Sequence, residues 1–205
     1  MSSDHHTVSH AHWKGDGHVE HEFGSTGEII KVPVRALNII WGNDTRFWRF
    51  KNLPDDETST IGLKEGAWLV QVNWIEVTGR VKKAELHKEA NSVKKTYGIY
   101  YLIKFRADAF GWHSVPIKFK LRVTASKSAQ TTDHSHNTII EQEDEKSMNL
   151  EPYREKQEVW HEIPGGQFSI SNSDGFIEFG MFEVESAWWK GNMVLAGVKI
   201  KPLQA

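Results

Sequence analysis

The feature that most constrains the fold is an alternation of apolar and polar side chains that recurs along the chain. Its clearest example is residues 115–123, where apolar residues occupy the odd positions and Lys118, Lys120 and Arg122 lie between them. Successive side chains of a β strand point to opposite faces of a sheet, so this period of two indicates a strand with one buried face. The chain is therefore expected to build its core from β sheets.

Further strand-like runs are separated by clusters of Gly, Asn, Asp, Ser and Pro, which favour turns. These runs cover residues 30–34, 36–41, 68–74, 98–105, 167–170, 176–185 and 193–201. Helical content is expected to be low, with a turn or a short helix over residues 86–95. About eight short strands in one domain predict an all-β fold, an antiparallel β-sandwich of the jelly-roll type.

Two polar segments lie outside these strands. Residues 1–28 are rich in His and poor in apolar side chains, which predicts a flexible arm. Residues 124–150 form a long acidic insertion that is expected to be a solvated, mobile loop. The domain itself is assigned to residues 29–205. The His residues of the arm have no acidic or cysteine partner at a metal-site spacing, so we predict no metal site and no cofactor.

Composition argues against several classes of function. The net charge is -2, so no overall field draws the chain to DNA or to an anionic membrane. The absence of Cys rules out disulfides and thiolate chemistry. With neither a signal peptide nor a run of about 18 apolar residues, the chain is expected to be cytoplasmic or nucleocytoplasmic, without secretion or membrane insertion.

Residues 41–50, WGNDTRFWRF, concentrate aromatic rings and planar polar groups around a turn signal. A sugar ring has an apolar face that stacks on an indole and hydroxyls that pair with fixed donors and acceptors. Trp41 and Trp48 provide indoles, and Asn43, Asp44 and Arg46 provide polar groups. This stretch is therefore predicted to form a sugar site.

Four blocks with a fixed order span residues 36–202. They are LNIIWGNDTRFW (37–48), WLVQVNWIEVTG (68–79), residues 97–105 followed by Gly111-Trp112, and WHEI (160–163) with WKGNMVLAGVKIKP (189–202). Together they resemble the plant phloem protein 2 lectins, also called the Nictaba-like family, with a cucurbit phloem lectin of similar size as the nearest kind of relative.

The resemblance implies a jelly-roll sandwich that binds N-acetylglucosamine oligomers, the repeat of chitin and the core of N-glycans, without catalysis. Its partners would be these oligomers or glycoproteins, and the chain would occur in the cytoplasm, the nucleus or phloem sap. Weak affinity at each shallow site makes a homodimer a reasonable expectation. The lack of Cys argues against the disulfide-crosslinked filaments associated with some phloem proteins.

Which residues of the 41–50 stretch touch sugar stays open. Trp41 shares a strand face with Leu37 and Ile39, so it fits a core position as well as a sugar contact. Asn43 and Asp44 suit a turn for backbone reasons alone. Arg46 suits a buried ion pair as well as a ligand contact. Trp48 follows the turn and is predicted to be the better exposed ring.

Two tryptophans elsewhere are also predicted sugar contacts. Trp112 lies in the loop 110–114, where no alternation turns it inward. Only one of the adjacent Trp188 and Trp189 can face the core of an extended chain, and the family match at Trp189 leaves Trp188 as the exposed ring. Lys190 either contacts a hydroxyl or caps a turn, and the turn is favoured.

The resemblance further points to Glu178 and Glu185 as sugar ligands. Their odd separation places them on opposite faces of an unbroken strand, about 23 Å apart. A bulge at Gly180, or a bend before Ser186, would restore a common face. Without it, Glu178 is expected to be a buried carboxylate that needs a partner such as Arg46.

Two rival functions come from other classes. A glycosidase needs two carboxylates about 5 to 10 Å apart, a separation that Glu183 and Glu185 can reach if they share a strand face. An RNA or protein interaction module would use a basic segment, Lys82, Lys83, Lys88, Lys94 and Lys95. A solvated loop explains these lysines better, and the acidic balance of the chain opposes nonspecific RNA binding, so the lectin interpretation is preferred.

Overall fold

The fold was analysed in a computed structural model, which describes residues 10–25, 27–86, 94–126 and 138–203. Strands dominate these residues. They are β1 (Glu20–Gly24), β2 (Gly27–Pro33), β3 (Asn38–Ile39), β4 (Trp48–Asn52), β5 (Glu65–Val72), β6 (Ile75–Lys82), β7 (Lys95–Phe110), β8 (Ile117–Ser126), β9 (Thr138–Met148), β10 (Trp160–Ile170), β11 (Phe176–Glu183) and β12 (Lys190–Pro202). The helices are short: a 3₁₀ turn (Val34–Ala36), α1 (Asp55–Ile61), α2 (Lys83–Leu86) and α3 (Glu151–Arg154).

The described strands form two antiparallel sheets. One sheet has the order β3-β6-β11-β8-β9. The other is centred on β12, which pairs along one edge with β7, and β7 in turn with β10. Along its opposite edge β12 pairs first with β5 through residues 190–195 and then with β2 through residues 197–200. The second sheet therefore forks into a β5-β4 branch and a β2-β1 branch.

The fork lies beside Gly197. Its φ of 151° is unfavourable for other residues, and a Cβ there would lie 2.3 Å from the carbonyl oxygen of Val32. The pairing of β12 with β7 also shifts register between Leu195 and Gly197. Glycine at this position thus allows β12 to approach β2 closely at the point where the pairing of β12 changes from β5 to β2.

The core lies between the two sheets. Alternate residues of β8 and β11 point inward, and Phe119 and Phe179 meet Tyr101 of β7 with ring centroids 4.9 and 6.4 Å apart. All three rings are almost fully buried. Burial of this much aromatic surface is the main force that joins the sheets. The predicted all-β sandwich is confirmed.

Local sequence explains where α1 begins and ends. Pro54 precedes the helix, and Asp55, Asp56 and Glu57 occupy its first turn, where negative charge is favourable. Gly62 ends it with a φ of 71°, donating its N–H to the carbonyl of Thr58. The side of α1 that carries Ile61 covers part of the outer face of the forked sheet together with Leu63, Leu102 and Ala196.

Two sequence expectations need correction. Residues 20–24 of the predicted arm form β1, and Trp13 pairs with Ile39. Residues 138–148 of the predicted acidic loop form β9, an edge strand on β8, because its carboxylates find cations directly across the pair. β5 buries Leu69, whereas Trp68 faces outward, where Lys51 and Arg106 lie over its ring at 4.4 and 5.0 Å.

Candidate functional site

Three exposed indoles surround a small cavity where three loops meet. Trp41 comes from the β3–β4 loop, Trp74 from the β5–β6 turn and Trp189 from the segment between β11 and β12. Their exposed fractions are 39, 42 and 46%. The cavity has a volume of about 230 Å³, and the remaining residues that line it are Arg46, Phe47, Val72 and Asn73. We call it the tryptophan cavity.

The β3–β4 loop is a chain of tight turns that pushes Trp41 outward. The N–H of Gly42 bonds to the carbonyl of Ile39 at 3.0 Å, and the N–H of Asp44 bonds to the carbonyl of Trp41 at 3.0 Å. Trp41 itself has a φ of 62°, an unfavourable conformation for a bulky residue. A Cβ on Gly42 would lie 2.5 Å from the Cβ of Trp13, so the N-terminal segment packs directly under this turn.

The polar residues of this loop are largely engaged within the protein. The side-chain amide of Asn43 donates to the carbonyls of His10 and His12 at 2.8 and 3.0 Å. Asp44 accepts hydrogen bonds from the guanidinium of Arg46, the shortest of them 2.6 Å, and these hold the pKa of its carboxyl below the usual range. Of the three polar residues Asn43, Asp44 and Arg46, Arg46 lines the tryptophan cavity.

Trp48 and Trp112, both predicted to be exposed, are buried. Each is 1% accessible. Trp48 begins β4 on its inward face, opposite Leu69. Trp112 packs edge-on against Phe105 and donates its Nε1 hydrogen to the carbonyl of Gly191 at 2.9 Å. Their side chains support the loops from inside and have no surface with which to stack on a ligand.

Trp188 and Trp189 are both exposed, so the prediction that one of them faces the core is wrong. Trp188 is 63% exposed but does not line the tryptophan cavity, whereas Trp189 does. Lys190, predicted to cap a turn, is completely buried and forms an ion pair with the equally buried Glu183. Its Nζ also donates to the carbonyl of Trp188 at 3.0 Å, which fixes the two tryptophans next to β12.

Glu178 and Glu185 lie elsewhere. β11 pairs with β6 and β8 without a register shift, so no bulge forms at Gly180. Glu178 consequently lies on the outer face of its sheet, where it pairs with Arg80 at 3.3 Å rather than with Arg46. Glu185 follows the end of β11 and pairs with Lys118, whose hydrogen bond lowers the pKa of the Glu185 carboxyl.

The outer face that carries Glu178 contains an open groove of about 600 Å³. Its charges are matched across the strands, with Lys120 paired to Glu145 at 3.1 Å and Arg122 to Glu143 at 2.6 Å. No residue that lines this groove also lines the tryptophan cavity. The predicted site residues thus do not form one site: Trp41 and Arg46 line the tryptophan cavity and Glu178 lines the groove, whereas Trp48 and Trp112 lie in the core.

Sequence reasoning missed Trp74 and Asn73 as site residues. Both were assigned to one continuous strand, although Asn73 is a turn former between two β-branched runs and marks the hairpin. In the structure the Nε1 of Trp74 donates to Glu76 at 3.2 Å, which orients the indole at the cavity. Among the residues that the structure describes, no helix is long and apolar enough to span a bilayer, and no group of three potential metal ligands occurs.

The protein is a sandwich of two β sheets in which three loops bring exposed tryptophans to one cavity. Such an arrangement is suited to a binding protein. The family model of Phloem protein 2 matches residues 28–202. Because this match covers most of the 205 residues, the chain belongs to the phloem protein 2 family.

Individual relatives share a modest fraction of residues with the chain. It is 28% identical over 177 residues to the protein PHLOEM PROTEIN 2-LIKE A5 of Arabidopsis thaliana, covering 86% of this chain and 38% of that one. It is 24% identical over 226 residues to the F-box protein PP2-B1 of the same plant, covering 88% and 64%. The chain therefore spans less than two thirds of the length of each of these relatives.

Among solved structures, a Podospora anserina GH26-CBM35 β-(1,4)-mannanase can be aligned with this protein. The alignment covers 86% of this chain and 28% of the mannanase chain. The TM-score is 0.36 and the identity 7%. A likeness this low carries no argument about activity.

Proposed function

We propose that this protein is a lectin that binds N-acetylglucosamine oligomers in the tryptophan cavity and does not cleave them. The observation that carries the proposal is the convergence of Trp41, Trp74 and Trp189 around one small, open volume. Exposed indoles are costly in water, and three of them from three separate loops favour a ligand with apolar faces. A pyranose ring has such a face, and its N-acetyl group adds a methyl.

The polar part of the cavity fits a neutral ligand. The charge of Arg46 is balanced by Asp44 beside it, and the remaining polar side chain of the lining is the amide of Asn73. The outward N–H groups of Arg46 and the amide of Asn73 can pair with hydroxyl and carbonyl oxygens. We therefore expect stacking to supply most of the affinity and the polar groups to supply orientation.

Substitutions at the rim test this assignment. Trp74→Ala and Trp189→Ala should each weaken chitotriose binding about fivefold or more, since an aromatic stacking contact contributes about 1 kcal/mol. Binding would be measured by isothermal titration calorimetry. Phe23→Ala is the matched control, because Phe23 is 82% exposed on β1 and does not line the cavity. Unchanged affinity in both tryptophan variants would remove the cavity from consideration.

Trp188 stays a predicted sugar contact, although it lies outside the tryptophan cavity. It flanks Trp189 and is the more exposed of the two rings. A trisaccharide that extends beyond the cavity would reach it, whereas a single sugar would not. Trp188→Ala should then weaken binding of chitotriose more than binding of N-acetylglucosamine.

Catalysis has little support in the described residues. Glu183 is buried in its ion pair with Lys190, while Glu185 is exposed and paired with Lys118. Both carboxylates line one cavity of about 230 Å³, but their environments differ and each is already held in an ion pair, which does not favour the acid and base roles that the glycosidase hypothesis requires. Incubation with chitotetraose and analysis of the products tests this directly, and any enzyme-dependent cleavage would overturn the proposal.

The RNA-binding alternative relied on a basic segment in which Lys82, Lys94 and Lys95 are exposed. Lys83 is buried against Glu141 at 2.5 Å, and Lys88 lies outside the described residues. Sugar binding should be nearly unchanged between about 50 and 200 mM salt, whereas binding dominated by phosphate contacts falls steeply over that range. A steep salt dependence of RNA binding at nanomolar affinity would favour the alternative.

The proposal includes a homodimer in the cytoplasm, the nucleus or phloem sap. Two weak sites on one particle would bind a multivalent glycan more tightly than either site alone. Sedimentation equilibrium of the purified protein and microscopy of a fluorescent fusion in plant cells test these two points separately.

A further inference from the structure

The N-terminal segment, residues 10–16, supports the Trp41 loop although it precedes the part of the chain that matches the family. Trp13 and Ile39 exchange two backbone hydrogen bonds of 2.9 Å. The N–H of Asn43 bonds to the carbonyl of Ala11 at 3.1 Å, and its side-chain amide holds the carbonyls of His10 and His12. The loop that presents Trp41 is thus tied to this segment by backbone and side chain together.

One of these contacts depends on a proton. The backbone N–H of Trp41 donates to Nδ1 of His12 at 3.0 Å, and the two rings meet edge to face with centroids 5.0 Å apart. A donor at this position requires Nδ1 to carry a lone pair, so the imidazole must be neutral with its hydrogen on Nε2. This bond satisfies the backbone of the one loop residue that holds a left-handed φ of 62°.

We propose that His12 is a proton-sensitive positioning residue for Trp41, so that ligand binding in the tryptophan cavity weakens as the solution becomes acidic. The inference rests on the proposed function of the cavity. Protonation places a hydrogen on Nδ1, which removes the acceptor and sets two N–H groups against each other. The strained turn at Trp41 then loses a contact that keeps the indole at the rim.

The other charged groups near this contact do not produce the same response. On the loop, Asp44 is already paired with Arg46, and that pairing lowers the pKa of its carboxyl away from neutrality. From the 3₁₀ turn, Arg35 lies over the ring of Trp13 and is paired with Glu65. His10, Lys14 and Asp16 are on the segment itself; the bond from Asn43 to His10 uses the backbone carbonyl and not the ring, and Glu76 of β6 contacts the loop through its carbonyl. An imidazole, by contrast, ordinarily changes charge between about pH 5 and about pH 8.

Two variants and one control separate the proton from the side chain. Asn in His12→Asn carries a carbonyl oxygen at the same number of bonds from the backbone as Nδ1, and it does not titrate. His12→Ala removes the acceptor altogether. His18→Ala is the control. His18 is a nearby, exposed histidine, and the hydrogen bond described for it is donated by its backbone N–H, which the substitution keeps.

Chitotriose affinity of the full chain would be measured from about pH 7.5 to about pH 5. Wild type and His18→Ala should lose about fivefold in affinity, the effect expected when one hydrogen bond is lost. His12→Asn should keep its affinity across the range, and His12→Ala should be weak at both ends. A His12→Asn variant that loses affinity as the wild type does would overturn the proposal.

A second measurement needs no sugar. In ¹⁵N-labelled protein the backbone amide signal of Trp41 should shift with the same midpoint as the His12 ring signals, and this shift should be absent in His12→Asn. If wild type binds no chitotriose at any pH but this coupled titration is seen, the proposed ligand is wrong and the role of His12 stands. If the Trp41 amide does not respond to His12, the role of His12 is wrong whatever the ligand.

Discussion

The two tryptophans of the 41–50 stretch have opposite environments. Trp41 is 39% exposed at the cavity, whereas Trp48 is 1% exposed in the core. The sequence singled out both residues, but the direction of Trp48 depends on where β4 begins. A strand that started one residue later would turn Trp48 outward and Phe47 inward. No local pattern in the segment decides that phase, because both neighbours are aromatic.

Replacement of Trp48 therefore tests packing rather than recognition. Trp48→Ala should lower the free energy of unfolding by about 3–5 kcal/mol, because it empties a large buried volume. Trp188→Ala should change it by less than about 0.5 kcal/mol, since that ring is mostly in solvent. Urea unfolding followed by circular dichroism measures both. A stable Trp48→Ala protein that has lost only sugar binding would contradict the burial of this residue.

The buried pair of Glu183 and Lys190 gives a second prediction. Lys190→Met leaves a carboxylate without its cation in a site closed to water, which should cost about 3–5 kcal/mol of stability. Changing both partners together, as Glu183→Leu with Lys190→Met, should restore a large part of the loss. The same urea experiment measures this. If the double variant is as unstable as the single one, the pair contributes through shape and not through charge.

At the scale of elements, the loops that hold the tryptophan cavity depend on one another. The β7–β8 loop passes under Trp189, and Gly111 adopts a φ of 80° there. A Cβ on Gly111 would lie 2.0 Å from the carbonyl oxygen of Trp189 and 2.8 Å from the Cα of Lys190. The contact is with backbone, so it cannot be relieved by turning a side chain.

Gly111→Ala should consequently displace Trp189 and weaken chitotriose binding, together with a loss of stability. Gly17→Ala is a matched control, because Gly17 has a similar φ of 70° but nothing within 4 Å of a Cβ. Calorimetry and thermal unfolding of the two variants separate the close contact from the unfavourable backbone angle. Equal behaviour of both variants would mean that the angle alone matters.

Strands with one buried face were predictable, and elements outside that pattern were not. The run 115–123 is the clear case: β8 buries Ile117, Phe119, Leu121 and Val123 as its alternation indicates. β9 was missed because Glu143 and Glu145 look like a solvated charge run until Arg122 and Lys120 are known to lie opposite them. Trp74 was missed because the hairpin at Asn73 interrupts an alternation that continues on both sides of it. Long-range pairing, which local sequence does not contain, decides the case of β9.

At the scale of the whole molecule, the carboxylate of Glu162 connects β10 and β12, two strands that are separated by β7. Glu162 of β10 reaches over β7 to Lys199 and Lys201 of β12. Burial raises the pKa of the Glu162 carboxyl, but the hydrogen bond and charge of Lys201, with the charge of Lys199, outweigh burial and leave this pKa below 4.5. A carboxylate with a lowered pKa in the folded state stabilises the protein above its unfolded pKa and loses that contribution as the pH falls through the folded value.

Glu162→Gln should thus be less stable than wild type at neutral pH, and the difference should shrink in acid below about pH 4. Urea midpoints of the two proteins between about pH 7 and about pH 3 provide the comparison. Glu155→Gln is a control for the loss of a charge, because Glu155 is exposed after α3. A stability difference that stays constant with pH would show that Glu162 acts through its shape alone.

Because the second sheet forks, its two branches can unfold locally and independently of each other. β2, which carries β1 on its other edge, is bonded to the last residues of β12, and β5, which carries β4, is bonded to its first residues. One pair of strands can therefore detach while the other remains in place. Amide protons of Ile30 and Val32 should then exchange with solvent deuterium at a rate unrelated to that of Leu69. Local opening of the β1–β2 branch would expose one end of the sandwich to proteases while the tryptophan cavity, which is built on the other branch, stays assembled.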